Sequence, residues 1–154
     1  MSYFILLAFL IGFIAGLRSL TAPAVVSWAA RLGWIHLENS PLAFFGAAVT
    51  PWIFTVLAIA ELVSDQLPRT PSRKAPPGFI ARILMGGLSG AAFGVAGGSL
   101  AVGAIAGVAG AIAGTLGGYE ARRRLAIAFG KDQPAAFLED AVAIVGALLL
   151  AFQA

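Results

Sequence analysis

Hydrophobic residues run along this chain in long stretches separated by short polar segments, and these stretches set the expected elements. From Ser2 to Ala30 the only charged residue is Arg18, with Pro23 five positions later. Proline removes a helical hydrogen bond and crowds the preceding turn. This stretch is therefore expected to be either one long broken helix that crosses a membrane once, or a span followed by a re-entrant half-helix. Arg31–Pro41 reads as a short polar loop. The next apolar run, from Leu42 to about Val63, is long enough to span, with a kink expected at Pro51 near its middle. Asp65–Gly78, DQLPRTPSRKAPPG, holds four prolines and three basic residues and is expected to be an extended, non-helical loop. Between Arg82 and Glu120 no charge occurs. At about 1.5 Å per residue, one helix over that length would be about twice the hydrocarbon thickness of a bilayer, so it is expected to fold back as a hairpin. Gly97-Gly98-Ser99 is the expected turn, between spans Phe79–Gly97 and Leu100–Tyr119. A second basic loop, Arg122–Lys131, leads to a last span, Pro134–Phe152, with Asp132 and Pro134 read as its N-cap and first turn.

Composition turns these runs into a membrane assignment. Of 154 residues, 60% are hydrophobic and 11% charged, and the mean hydropathy is +0.93. A soluble fold cannot cover that much apolar surface. The expectation is an all-α, polytopic transmembrane helical bundle of about five spans, forming a single integral membrane domain over residues 1–154, with no room for an appended catalytic domain. The net charge of +3 does not imply nucleic acid, because the basic residues are confined to segments between apolar runs, as the positive-inside rule expects. Both basic loops, Arg69–Arg82 and Arg122–Lys131, flank the same hairpin and so share one side, assigned to the cytoplasm. The C-terminus is then outside; the N-terminus is cytoplasmic if the first segment crosses once and outside if it re-enters. The apolar run Met1–Leu17 has no basic segment ahead of it and is expected to be a retained span rather than a cleaved signal. Cysteine is absent, which excludes a disulfide framework, a thiolate zinc site and a thiol nucleophile.

The strongest pattern is glycine. Gly86, Gly90, Gly94 and Gly98 repeat every four residues, as do Gly103 and Gly107, then Gly110, Gly114 and Gly118. This spacing gives a helix a smooth face for close backbone packing, within the hairpin or between copies of the chain as a homo-oligomer; a narrow path lined by small residues is the sharper reading. Arg18 is the most informative single residue. A cation near mid-bilayer costs roughly 2.5–3.5 kcal/mol, so it is expected to face a partner, a cavity or an anionic ligand, with Ser19 beside it at the interrupted helix. The carboxylates Glu61, Asp65, Glu120, Glu139 and Asp140 all fall toward the cytoplasmic ends of their helices. They form either a polar vestibule for an ion or small polar solute, or interfacial pairs with Arg69, Arg73, Arg82 and Arg122–Arg124. His36, the only histidine, reads as an exposed interfacial residue, and Trp28, Trp34 and Trp52 suit an aromatic belt. An echo of Gly12–Gly16 and Arg18 in Gly110–Gly114 and Glu120 is short enough to be chance. No Walker loop, HExxH, GxSxG, paired-histidine spacing or dinucleotide fingerprint occurs, so neither an enzyme, a cofactor nor a metal is expected.

At Gly16-Leu-Arg18-Ser19-Leu-Thr-Ala-Pro23, at Glu61-Leu-Val-Ser-Asp65 through Arg73, and at Glu139-Asp140-Ala, the chain resembles an uncharacterised family of small bacterial multi-pass inner-membrane proteins. The resemblance covers nearly the whole length. It implies an inner-membrane location and names no substrate. The first motif is also similar to the glycine-rich, arginine-bearing first helix of small fluoride channels, but the asparagine-bearing segment that follows it there is absent, which excludes that identity. Three functions follow as expectations. The first is a small transporter or channel using Arg18 and the carboxylates. The second is a structural or assembly protein packing through its glycine faces. The third is a lipid-binding protein using Arg69, Arg73 and Arg82 to hold anionic headgroups.

Overall fold

The computed structural model describes residues 2–64 and 76–154. Asp65, Arg69 and Arg73 lie outside the described residues. Within them every regular element is helical: α1 (Ser2–Leu17), α2 (Thr21–Arg31), a 3-10 turn (Ala43–Gly46), α3 (Thr50–Ser64), α4 (Pro76–Ala96), α5 (Leu100–Phe129) and α6 (Asp132–Gln153). Three of these, α4, α5 and α6, are long and apolar enough to cross a membrane. Their outward faces agree with that solvent. On α6, Phe137, Val145, Leu149 and Phe152 are exposed, and on α3 so are Trp52, Ile53, Val56 and Val63. Runs of exposed large apolar side chains on this scale mark a surface that meets lipid or a partner rather than water.

Glycine determines how the core closes. The hairpin of α4 and α5 turns at Gly98, whose φ of +90° is a left-handed conformation that favours glycine. Ser99 then caps α5, its hydroxyl accepting from the Val102 N–H at 3.3 Å. Along the antiparallel pair, Gly86 faces Gly107, and Gly90 and Gly94 face Gly103. A Cβ at Gly90 would stand 2.5 Å from the Gly103 carbonyl oxygen, and one at Gly107 would overlap the carbonyl of Gly86. α1 lies against the same α5. Gly12 abuts the Gly107 backbone, the Phe9 and Phe13 carbonyls meet Gly110 and Gly114, and a Cβ at Gly16 would stand 2.6 Å from the Thr115 N. Gly98 sits in the turn with open space around it, and Gly118 is buried on α5.

The first apolar stretch folds back on itself. At its start, the Tyr3 hydroxyl donates to the Gln153 carbonyl oxygen at 3.1 Å and to Gln153 Oε1 at 2.9 Å, and Phe4 packs against Gly97. Just past α2, Trp34 stacks on Phe152 with ring centroids 4.3 Å apart. Both ends of the stretch therefore lie beside the C-terminal end of α6, and the first also lies beside the α4–α5 turn. Its middle reaches Asp140 on α6 and Thr115 on α5, well toward the other end of the bundle. The reversal falls at Arg18–Leu20 for a local reason. Pro23 is the third residue of α2, where its missing N–H costs nothing, but a helix continuous through it would drive its ring into the Ser19 carbonyl.

Several expected boundaries move. Pro51 does not kink a span beginning at Leu42; it is the second residue of α3, again a position that suits proline, and residues 42–49 form the 3-10 turn and a loop. Arg122–Phe129, read as loop, continues α5, because nothing breaks that helix before Gly130, whose φ of +71° closes it. Lys131 rather than Asp132 is the N-cap of α6, with Asp132 in its first turn. α4 begins at Pro76, three residues before the expected Phe79.

Candidate functional site

The break between α1 and α2 carries Arg18 into the interior, where the side chain has no exposed surface. Its Nε donates to Asp140 Oδ1, its Nη2 contacts the same oxygen, and Nη2 lies 3.8 Å from Glu139 Oε2. Glu139 Oε2 is also 3.4 Å from Arg122 Nη1. Arg122 in turn grips Asp132 with both edges of its fork, Nε to Oδ1 at 3.1 Å and Nη2 to Oδ2 at 2.7 Å. The result is one chain of alternating charges, Asp132, Arg122, Glu139, Arg18, Asp140. Its side chains run from 62% exposed at Asp132 through 17% at Arg122 and 7% at Glu139 to nothing at Arg18.

A second carboxylate closes the other side of the break. Helix α2 starts without a side-chain cap of its own, its N-cap position being Leu20, and the backbone N–H groups of Ser19 and Leu20 in the break ahead of it need an acceptor. Glu61 on α3 provides one. Its Oε1 accepts from the Ser19 N–H and the Ser19 hydroxyl, both at 2.8 Å, and its Oε2 accepts from the Leu20 N–H at 2.8 Å. A carboxylate is favoured there by the positive end of the helix dipole. Beside these groups, the buried Thr115 hydroxyl donates to the Ala111 carbonyl at 2.8 Å and lies 3.4 Å from the Gly16 carbonyl.

Of the residues singled out in the sequence, the fold brings together Arg18, Ser19, Glu61, Glu139 and Asp140. Glu120 stands apart from them in its bonding. It pairs with Arg123 at 2.7 Å and Arg124 at 2.9 Å on its own helix, at the spacings where helical neighbours meet. Arg82 is buried, with Nη1 3.4 Å from the Gly78 carbonyl one turn back. His36 is exposed, 3.7 Å from Glu38. Arg122 and Thr115 are the additions. In the sequence Arg122 reads alike with Arg123 and Arg124, but in the fold it is Arg122 that reaches Asp132 and Glu139 on α6. Thr115 is the one threonine in the charge-free run between Arg82 and Glu120, and nothing local sets it apart from Ser89, Ser99 and Tyr119 in the same run.

The family model described as a domain of unknown function, DUF4126, matches residues 5–154. The chain belongs to this family. The match takes in the helix break and every member of the charge chain, so the resemblance read at Gly16–Pro23, Glu61–Arg73 and Glu139–Ala141 is to the DUF4126 family, whose description carries no activity. The chain matches no curated protein and no solved structure.

Proposed function

We propose that this DUF4126 member is a small multi-pass transporter or channel of the bacterial inner membrane for an ion or small polar solute, with the break at Arg18 as its site. What carries the reading is Arg18, fully enclosed at a helix interruption and bonded to carboxylates of α6. Buried ion pairs are poor stabilisers: apolar side chains of similar volume usually do as well or better. Charges held at such a cost inside an otherwise apolar bundle are better explained by use than by stability. Interrupted helices that aim their ends at a bound group are a recurring way to build a solute site within a membrane.

In this reading α3, α4, α5 and α6 cross the bilayer, and α1 with α2 forms a re-entrant hairpin entering from the outer side. The ends of α3, α5 and the start of α4 then face the cytoplasm, and both termini lie outside. The assembly reading has less to stand on. Gly86, Gly90, Gly103, Gly107, Gly110 and Gly114 pack against this chain's own α1, α4 and α5, which leaves those faces unavailable to a second copy. An oligomer would form through the outward apolar faces of α3 and α6.

Proteoliposomes loaded with dyes for protons, sodium, potassium and chloride test the proposal. At least one flux above that of empty vesicles is expected, and Asp140→Asn, which keeps the side-chain shape but removes a charge bonded to Arg18, is expected to reduce it at least about tenfold per folded molecule, the effect of about 1.4 kcal/mol, with folded protein quantified by size-exclusion before reconstitution. A flux that Asp140→Asn leaves unchanged would remove the break from the mechanism, and no flux of any of the four ions would count against ion transport.

A further inference from the structure

Beside the charge chain, between the end of α1 and the facing parts of α5 and α6, lies a crevice of about 210 Å³. Phe13, Leu17, Leu125, Leu138 and Val142 wall it, and Arg122 and Glu139 are the charged groups in its lining. It opens on the outer face of the bundle, where Leu138 and Val142 are exposed. The space exists because α5 carries glycine there. A Cβ at Gly117 would meet nothing within 4 Å, so the helix presents a gap where a larger side chain would fill the wall. The crevice is thus apolar along its length, Arg122 is among the residues that line it, and the exposed Arg123, Arg124 and Lys131 follow on the same end of the helix pair.

We propose that this crevice seats one acyl chain of an anionic phospholipid, whose phosphate is held by Arg122. The guanidinium has capacity for it. Of its five N–H donors, one on Nε and one on Nη2 go to Asp132 and one on Nη1 goes to Glu139, leaving two for a phosphate oxygen. The neighbouring charges, Arg18, Arg122, Arg123, Arg124 and Lys131 against Glu120, Asp132, Glu139 and Asp140, leave one positive charge in excess, which favours an anion. A lipid fits better than a soluble anion because the apolar walls continue into the exposed apolar face of α6, so a ligand arrives from the bilayer without crossing water. In the orientation given above, this end meets the cytoplasmic leaflet, the one that carries anionic lipid. The site differs from the basic segment Arg69–Arg82 considered from sequence, and it does not depend on whether a solute passes the break.

The test is native mass spectrometry of the full chain released from detergent and titrated separately with phosphatidylglycerol, phosphatidylcholine and oleate. The expected result is a single retained phosphatidylglycerol, preferred over phosphatidylcholine by about fivefold, as one basic contact to an anionic headgroup gives. Gly117→Phe is expected to keep the wild-type thermal midpoint, since its Cβ meets nothing within 4 Å and its ring has the crevice to occupy, and to lose the retained lipid. Arg122→Gln is expected to bring phosphatidylglycerol down to the level of phosphatidylcholine. Equal retention of the two phospholipids by the unaltered protein, or undiminished retention by a folded Gly117→Phe, overturns the proposal. Preference for oleate over phosphatidylglycerol overturns it in favour of a free fatty acid. Because lipid retention is read without flux, failure here leaves the transport reading standing, and failure of transport leaves this site standing.

Discussion

Gly107→Leu is expected to abolish recovery of folded, monodisperse protein. At Gly107 three helices meet backbone to backbone. Its own added Cβ would overlap the Gly86 carbonyl and lie 2.9 Å from the Gly90 Cα, while the Gly12 position on α1 presses on the Gly107 backbone from the other side. The obstacles are backbone atoms, so no rotamer change relieves the clash, and α4 or α1 must move away bodily. Inserting bulk into a packed core costs typically about 1–3 kcal/mol. With rigid neighbours on two sides, the cost here belongs at or above the top of that range, a large part of the roughly 5–15 kcal/mol that separates folded from unfolded protein. Gly117→Leu serves as the control. It adds the same side chain to the same helix where nothing stands within 4 Å, and its thermal midpoint is expected to match the unaltered protein. A Gly107→Leu variant that purifies and melts normally would mean that α1, α4 and α5 do not approach backbone to backbone.

Arg18→Met is expected to destabilise the protein by about 3–5 kcal/mol, the usual effect of removing one partner from a buried ion pair. The loss comes less from the missing attraction than from the Asp140 carboxylate, whose contact with the Arg18 guanidinium is replaced by an apolar side chain. Arg18→Met combined with Asp140→Leu is therefore expected to recover most of the stability, since Glu139 keeps its contact with Arg122 and two apolar side chains stand where the closest ion pair was. Differential scanning calorimetry in detergent measures both, and the double variant carries a second readout. If the pair serves transport, it melts near the unaltered protein yet conducts nothing. A single variant as stable as the starting protein would show that Arg18 is hydrated rather than enclosed.

How much of this was readable in the sequence depends on whether the decisive neighbour was local. The hairpin turn was readable because a charge-free run too long for one span holds Gly97, Gly98 and Ser99 near its middle. So was the need of Arg18 for a partner, since lone cations in apolar runs are costly whatever the fold. Which partner was not readable. Glu61, Glu120, Glu139 and Asp140 are equivalent as letters, and the choice of Asp140 follows from α6 passing the tip of the α1–α2 reversal. Glu120 could have been set aside on local grounds, because Arg123 and Arg124 stand three and four residues further along its own helix. The fold-back of α1 and α2 rests on Tyr3 meeting Gln153 and Trp34 meeting Phe152, pairings more than a hundred residues apart in the chain that no local pattern announces. Pro51 was misplaced for the opposite reason. The apolar run from Leu42 hides a helix start that proline itself marks.

The reversal at Arg18 is what puts a charge inside the bundle, and its placement in the membrane can be measured directly. Because the chain has no cysteine, single cysteines at Ser2, Ser40 and Lys131 in intact cells report their side of the membrane through a thiol reagent that cannot cross it. The account predicts that Ser2→Cys and Ser40→Cys react from the outside while Lys131→Cys reacts only after the membrane is opened. Labelling of Ser2→Cys and Ser40→Cys from opposite sides would contradict it, because the first segment would then cross the bilayer once instead of turning back within it.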